Sequence, residues 1–587
     1  MKENWDLSVF YKGFDDPAFA ADLASLPERI QAISQAARAE SDDAAAKIRG
    51  IIGQLEELSA VSEHLGLMTQ LTLSCDAGCE AANAAMTPLM QAEVQATQVF
   101  SALSRYLATV DNLDAVIESD PVLKANGFFL KNAASQAAHM LPETLEGPVL
   151  QMQLSGGEAF SQLRDKLDAT LLVDYRDEQL PLSAVRALAY DADASVRRDA
   201  YDAELASYAK IELPMSYCLN SIKAEARTMA SLKGYDSVLA MTLDQSNMSK
   251  QTLDAMWTAI REALPTLRRY FKAKARLLGH ENGLPFCDLF APVGSSSRTY
   301  TIEEARELLL RLFGEFCPEM GEMMRTAFDE GWIDLYPRPG KSGGAFCAGC
   351  YDKNLSRVLT NFTGSLSDVS TLAHELGHAF NNRMMTRLPV LMTGAPMPLA
   401  ETASTFNETL LSAAMRKTAT PEEELMLLDA SLAENTQTMV DIYSRFLFEQ
   451  KVVDTQADHA MSVRELKETM LWAQDQSYGD GLDPEARHPY MWACKSHYYS
   501  TGAHFYNFPY AFGSLFALGL YARYQQEGEA FVPVYCDLLS RFGCDTIENV
   551  TASVGIDVTT PDFWRSAVES VLAEVRRFEE LADQNAN

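Results

Sequence analysis

Long runs of Ala, Leu, Glu and Gln at helical spacing, free of β-branched runs, restrict this 587-residue chain to a mostly α-helical fold. Residues 17–62, 84–118 and 157–170 carry the pattern most clearly. A one-sided apolar stripe must be buried against a partner, so these runs are expected to form antiparallel helical hairpins. Helix starts are sharply marked elsewhere. Thr301-Ile-Glu-Glu304 has the form of a capping box, and Thr420-Pro-Glu-Glu423 adds proline at the first helical position. Thr560-Pro-Asp-Phe-Trp564 repeats the cap-and-proline arrangement. The only β region expected is one small sheet around residues 332–363. No low-complexity linker and no repeat divides the chain. A soft boundary near residue 195 separates an N-terminal helical part, 1–195, from a second part, 196–587, which holds the motif described next.

Thr371-Leu-Ala-His-Glu-Leu-Gly-His-Ala-Phe380 contains His-Glu-x-x-His. On a helix, residues i and i+4 share a face, so His374 and His378 can reach one metal ion at about 2.0–2.1 Å. Glu375 then stands beside the open coordination position, where hydrolysis needs a general base for water. Ser365 or Ser367 can cap this helix, and Leu366, Val369, Leu372, Leu376 and Phe380 supply its apolar stripe. A stripe alone would mean only a core helix. Two histidines and a glutamate are costly there, because each buried polar group without a partner costs about 1–3 kcal/mol.

A catalytic zinc needs a third protein ligand, and Glu401 is the best candidate downstream. It lies in Leu399-Ala-Glu401-Thr-Ala-Ser-Thr-Phe-Asn-Glu408, a stretch of helical periodicity after the turn-forming Thr393-Gly-Ala-Pro-Met-Pro398. Glu408 follows two turns later on the same face, where it can accept the free ring N–H of a liganding histidine. The competing reading of Glu408 is a solvated carboxylate. His139, His280, His459 and His488 bear no spacing relation to the motif and read as structural or surface residues.

Composition excludes several function classes. A formal net charge of −32 argues against nucleic acid and anionic lipid, both of which demand basic surface. The start, Met1-Lys-Glu-Asn-Trp-Asp-Leu, lacks the apolar core of a secretion signal. The longest apolar stretch, Tyr510 to Tyr521, falls short of the roughly 20 residues of a membrane span. A cytoplasmic protein is expected, in which the ten cysteines are reduced thiols. Cys347-Ala-Gly-Cys350 has redox or zinc-knuckle spacing but no second pair to complete a four-cysteine site. Cys494, close in sequence to His497, is a candidate oxidation-sensitive residue.

The chain resembles the oligoendopeptidase F family, in the thimet-oligopeptidase superfamily of zinc metallopeptidases. The likeness runs from Trp5-Asp-Leu-Ser8 through Gly343-Gly-Ala-Phe346 and Val358-Leu-Thr-Asn-Phe-Thr-Gly364 into the His-Glu-x-x-His segment. It continues in Ala400-Glu-Thr-Ala-Ser-Thr-Phe-Asn-Glu408 and Phe505-Tyr-Asn-Phe-Pro-Tyr-Ala-Phe-Gly513. It implies a multi-helical zinc peptidase with a deep channel and a small sheet near the active site. One zinc per chain would be held by His374, His378 and Glu401, with Glu375 as base. It also implies that a histidine and tyrosines within Trp492–Tyr510 stabilise the oxyanion of the tetrahedral intermediate. His497, Tyr506 and Tyr510 are the residues assigned that role. His504 can match the same position under a different alignment, but His497 fits the family's His-to-Tyr separation better, which leaves His504 among the substrate-binding candidates. Tyr498 and Tyr499 read as packing residues with satisfied hydroxyls.

Peptide binding is suggested by the glycine-rich Pro337-Arg-Pro-Gly-Lys-Ser-Gly-Gly-Ala-Phe346 leading to the alternating run Ser356–Phe362. Gly343, Gly344, Ala345 and Phe346 would present a strand edge to an extended peptide by β-augmentation. An ordinary hairpin is the competing reading. The function expected is zinc-dependent cleavage of internal bonds in short peptides. A metallocarboxypeptidase on a related scaffold and a non-catalytic peptide-binding protein are the two alternatives.

Overall fold

Asp16 and Asp43 open the first two helices. Each carboxylate accepts a backbone N–H of the first turn, from Ala18 and Ala46, and Pro17 sits where a missing N–H costs nothing. The structure, a computed structural model, describes residues 2–294 and 298–585. Helices α1 (Pro17–Arg38), α2 (Ala44–Cys75) and α3 (Glu80–Leu107) pack on one another around Leu26, Ile33, Ile52, Leu65 and Leu103. The periodic run 17–62 is therefore a helix pair, broken where Ala39 turns extended. The run 157–170 forms one helix, Gly157–Thr170.

Residue 195 falls in the first turn of the helix Ala194–Tyr208. Ala200 and Tyr208 of that helix join a core with Leu171, Val173, Cys218, Trp492 and Tyr498, which are distant in sequence. The largest core lies downstream. There the helix Lys250–Leu277 packs along Pro561–Asn585, and Met256, Ile260, Leu267, Trp564, Val571 and Phe578 are buried between and around them. The three expected cap motifs all start helices: Ile302–Phe316 and Pro421–Thr436 with complete capping boxes, and Pro561–Asn585.

The described residues hold two small sheets, not one. Strands β1 (Leu172–Tyr175) and β2 (Glu178–Pro181) form an antiparallel hairpin outside the expected β region. Its turn places Arg176 at φ 51°, a conformation normally signalled by Gly or Asn, so no turn residue announced it. The expected sheet is present, with one strand flanked on both sides. Strand β3 (Ile333–Asp334) runs parallel to β5 (Leu355–Leu359), and β4 (Phe346–Cys350) is antiparallel to β5. Strand β5 thus has neighbours on both sides. The edge available to another chain belongs to β4, not to the run 356–362. The helix Leu366–Met385 packs against both β4 and β5.

Candidate active site

A capping box starts the helix Leu366–Met385. The Ser365 hydroxyl accepts the Asp368 N–H at 3.1 Å, and the Asp368 carboxylate accepts the N–H groups of Thr363, Gly364 and Ser365 at 2.8, 2.9 and 3.0 Å. Gly364 has φ 101°, and a Cβ there would meet the Tyr300 carbonyl oxygen at 2.9 Å, so the turn into this helix requires glycine. Val369, Leu372, Ala373, Leu376 and Phe380 are buried in the core. His374 and His378 stand on a different face, partly exposed, with ring centroids 5.0 Å apart.

Glu401 falls at the junction of the short turn Met397–Ala400 and the helix Thr402–Arg416, whereas periodicity suggested one continuous helix. Gly377 allows that second helix to approach: a Cβ on it would lie 2.6 Å from the Ala403 carbonyl oxygen and 2.7 Å from Ser404 Cα. Asn407 Nδ2 donates to the Ala373 carbonyl at 3.0 Å and locks the pair. Glu401 Oε2 consequently lies 3.4 Å from His374 Nε2 and 3.3 Å from His378 Nε2. These are the spacings of donors sharing one zinc-sized ion, since bonds of about 2.0–2.1 Å in a tetrahedron separate their ends by about 3.3–3.4 Å. The Ser404 hydroxyl donates to the same Glu401 oxygen at 2.9 Å. His374 Nδ1 faces Glu408 Oε2 at 3.3 Å.

Gly377→Ala is expected to destabilise the fold by about 1–3 kcal/mol and to weaken metal binding, measured by denaturant unfolding and chelator competition. Alanine's helix propensity, worth about 1 kcal/mol over glycine, acts the other way. Overpacking wins because the obstructing atoms are backbone and cannot swing aside.

Charge at this centre is concentrated and partly buried. Burial disfavours a charged His374, but hydrogen bonds to Glu401 and Glu408 outweigh it and push the imidazole up to about 10. Burial also opposes a charged Glu401, yet the two histidines hold its carboxyl well below the usual range. Donor atoms of the three residues thus face one small space. Glu375 is buried, and its Oε2 has no hydrogen-bond partner. Burial raises its carboxyl above the usual range, against the lowering effect of His374 and His378.

A second cluster holds His497, Tyr506 and Tyr510. Ring centroids lie 5.2 Å apart for His497 and Tyr506, and 6.1 Å apart for Tyr506 and Tyr510. Tyr510 sits one turn before Gly513 on the helix Phe508–Glu527, and a Cβ at Gly513 would stand 3.2 Å from Glu401 Cβ. Tyr510 is 37% exposed, and partial burial first, then Tyr506 and the Glu401 charge, push its hydroxyl up to about 12. Burial, reinforced by the charges of Arg445, Lys495 and Arg164, pulls His497 down to about 4, so its ring is neutral at pH 7.

His504 does not join this cluster. Phe505 has φ 51°, and this left-handed residue separates the directions of its two neighbours. His504 is only 5% exposed, its Nδ1 lying 3.4 Å from Lys223 Nζ, within a buried ion pair of Lys223 and Glu449. Tyr498 and Tyr499 are buried as expected of packing residues, but their hydroxyls have no partner among the described residues.

The glycine-rich loop is pinned at both ends. Asp334 pairs with Arg338 and Lys341, and Asn361 Nδ2 donates to the carbonyls of Ser342 and Gly344 at 3.0 and 2.9 Å. Gly344 has φ 78°, and a Cβ at Gly343 or Gly344 would meet nothing within 4 Å, so this backbone is open. Ala345 and Phe346 continue the loop into β4. Cys347 and Cys350 of β4 diverge: Cys347 takes a hydrogen bond from Asn382 at 3.7 Å, whereas Cys350 donates to Asp352 at 3.1 Å.

Sequence reasoning missed Asp441, Arg445 and Glu434. A π-helical turn, Gln437–Asp441, presents Asp441 to the Tyr478 hydroxyl and to Arg445, which in turn donates to Asn507 beside Tyr506 at 3.0 Å. Glu434 shares a cavity wall with Glu408. None of the three has a local motif, and π turns are rare single-turn features within helices.

Residues 187–570 match the sequence profile of Peptidase family M3. The chromosomal oligoendopeptidase F of Lactococcus lactis subsp. cremoris is 26% identical over 399 residues, covering 67% of this chain and 65% of that protein, just under two thirds of its length. Group B oligopeptidase PepB of Streptococcus agalactiae is 26% identical over 476 residues, covering 78% of this chain and 77% of that protein. Two solved structures share the fold. Oligoendopeptidase-F from Enterococcus faecium superimposes with a TM-score of 0.72 at 18% identity, over 97% of this chain and 99% of that one. A Chlamydophila abortus crystal structure gives 0.85 at 22% identity, over 99% and 98%. With the profile matching well over half its residues, the chain belongs to Peptidase family M3.

Proposed function

We propose that this chain is a zinc-dependent endopeptidase that cuts internal bonds of short peptides. One observation carries the reading: His374, His378 and Glu401 converge on one point at ligand spacing, and Glu375, which feels the charge of all three, has a buried oxygen without a hydrogen bond. The three residues fit a catalytic zinc, which when bound polarises a carbonyl and lowers the pKa of water to about 7. Glu375, whose burial raises its affinity for a proton, takes one from the attacking water and delivers it to the departing amine. Glu408 accepts the Nδ1–H of His374 and so keeps Nε2 free to face the metal. The neutral ring of His497 and the hydroxyls of Tyr506 and Tyr510 donate to the oxyanion. The free edge of β4, entered from Gly343, Gly344, Ala345 and Phe346, takes an extended peptide through its main chain, which gives little sequence preference.

Tyr510→Phe is expected to lower kcat by about 10²–10³-fold with KM little changed, since one lost oxyanion donor costs about 2.7–4 kcal/mol. Steady-state kinetics on a single peptide reads the split. The reading as a whole is tested with short peptides acetylated at the N-terminus and amidated at the C-terminus. An endopeptidase cuts them internally; a carboxypeptidase leaves them intact while shortening the unblocked forms stepwise, and a binding protein retains both without turnover.

A further inference from the structure

A second group of metal-binding side chains lies away from the catalytic centre. Glu63 and His64 come from α2, Cys350 ends β4, and Asp352 follows it in the next turn. One donor atom from each lies within 4.8 Å of all the others. His64 Nε2 is 3.0 Å from Asp352 Oδ1, and Cys350 Sγ is 3.1 Å from the same oxygen. Glu63 Oε2 is shut off from solvent and has no hydrogen-bond partner. No Lys or Arg pairs with Glu63 or Asp352 among the described residues. Two carboxylates and a thiol therefore gather around a single imidazole, and Lys353 and Arg357 act on Asp352 and Cys350 only through space. Burying an anion without a counter-charge is unfavourable, and a divalent cation removes that penalty.

We propose that Glu63, His64, Cys350 and Asp352 form a second metal site, for a zinc-class divalent ion, which ties α2 to β4. The donor set decides the class. A thiolate with an imidazole selects zinc or a similar transition metal, whereas calcium and magnesium take oxygen ligands. On binding, the Cys350 Sγ–H bond breaks and its proton leaves to solvent. His64 turns a bare Nε2 to the ion and keeps its proton on Nδ1. His64 and Asp352 remain partly open to solvent, which gives the ion a way in, while Cys350 is buried at 1% exposure.

The position gives the site a purpose. Cys350 belongs to the core built by α1, α2 and α3, and Phe346 and Ala348 of β4 pack against that core. An ion here would fasten the N-terminal helices to the edge strand of the sheet. The assignment does not depend on the catalytic reading, because its ligands and its spectroscopic signature are separate.

Cobalt tests it in the full-length protein. The catalytic centre offers no sulfur, so a thiolate-to-cobalt charge-transfer band in the near ultraviolet must come from a cysteine ligand. Metal-free protein titrated with Co²⁺ is expected to take up two equivalents and to show this band. Cys350→Ser and His64→Ala should each lose the band and one equivalent, whereas His378→Ala keeps the band. The second variant, at a partly exposed residue, guards against misfolding of the first, and far-ultraviolet circular dichroism monitors both. Uptake of one equivalent without the band, or a band that survives Cys350→Ser, would overturn the proposal.

Discussion

Glu375→Gln is expected to lower kcat by about 10²–10⁴-fold while leaving zinc content at the wild-type value. The range is that of a positioned general base. Glutamine keeps the shape and polarity of the side chain but cannot take a proton from water at neutral pH. Burial also suits Glu375 to the proposed task better than a solvated carboxylate. Its Oε2 is buried without a hydrogen bond, and burial raises its proton affinity, which brings it closer to the working pH. Glu375 is not among the converging donor atoms, so metal binding should survive the substitution. Metal analysis beside single-peptide kinetics checks both halves. Normal turnover in this variant would remove Glu375 from the chemistry.

Glu401→Ala should fail differently, by losing the metal. Its Oε2 is the atom that both imidazole nitrogens face, and removing it leaves two ligands on one helix. The loss of affinity should exceed the 10–100-fold typical when a residue that only orients a ligand is changed, which is the range expected for Glu408→Ala. Competition against a chelator of known affinity measures both. Partial recovery of Glu401→Ala activity at high zinc would separate a binding defect from a chemical one, whereas Glu375→Gln should gain nothing from added metal.

What was legible in the sequence follows from how local each feature is. The helices with Asp, Ser or Thr caps could be read because a cap and its N–H partner are two or three residues apart. His374, His378 and Glu375 were readable for the same reason, being fixed by helical geometry alone. The neighbourhood of Glu401 was readable as helical, but the break in the helix at that residue has no signal in its own side chain. The β1–β2 hairpin escaped because Arg176 occupies the left-handed position without a turn-forming residue. The free edge of β4 escaped because edge and centre are settled by pairing, not by the strand's own pattern. His504 and Tyr506 are two residues apart and alike in sequence context. Only the left-handed Phe505 between them and the buried Lys223–Glu449 pair show why one faces the interior and the other joins His497.

If zinc held by His374, His378 and Glu401 drives cleavage inside short peptides, mass-spectrometric mapping of cuts in a mixed set of short peptides will follow the metal, with enzyme as purified, after chelation, and after zinc is restored. Internal cuts that vanish on chelation and return with zinc are the predicted result. Cuts that persist in fully chelated protein, or peptides that stay whole once zinc is restored, would contradict it.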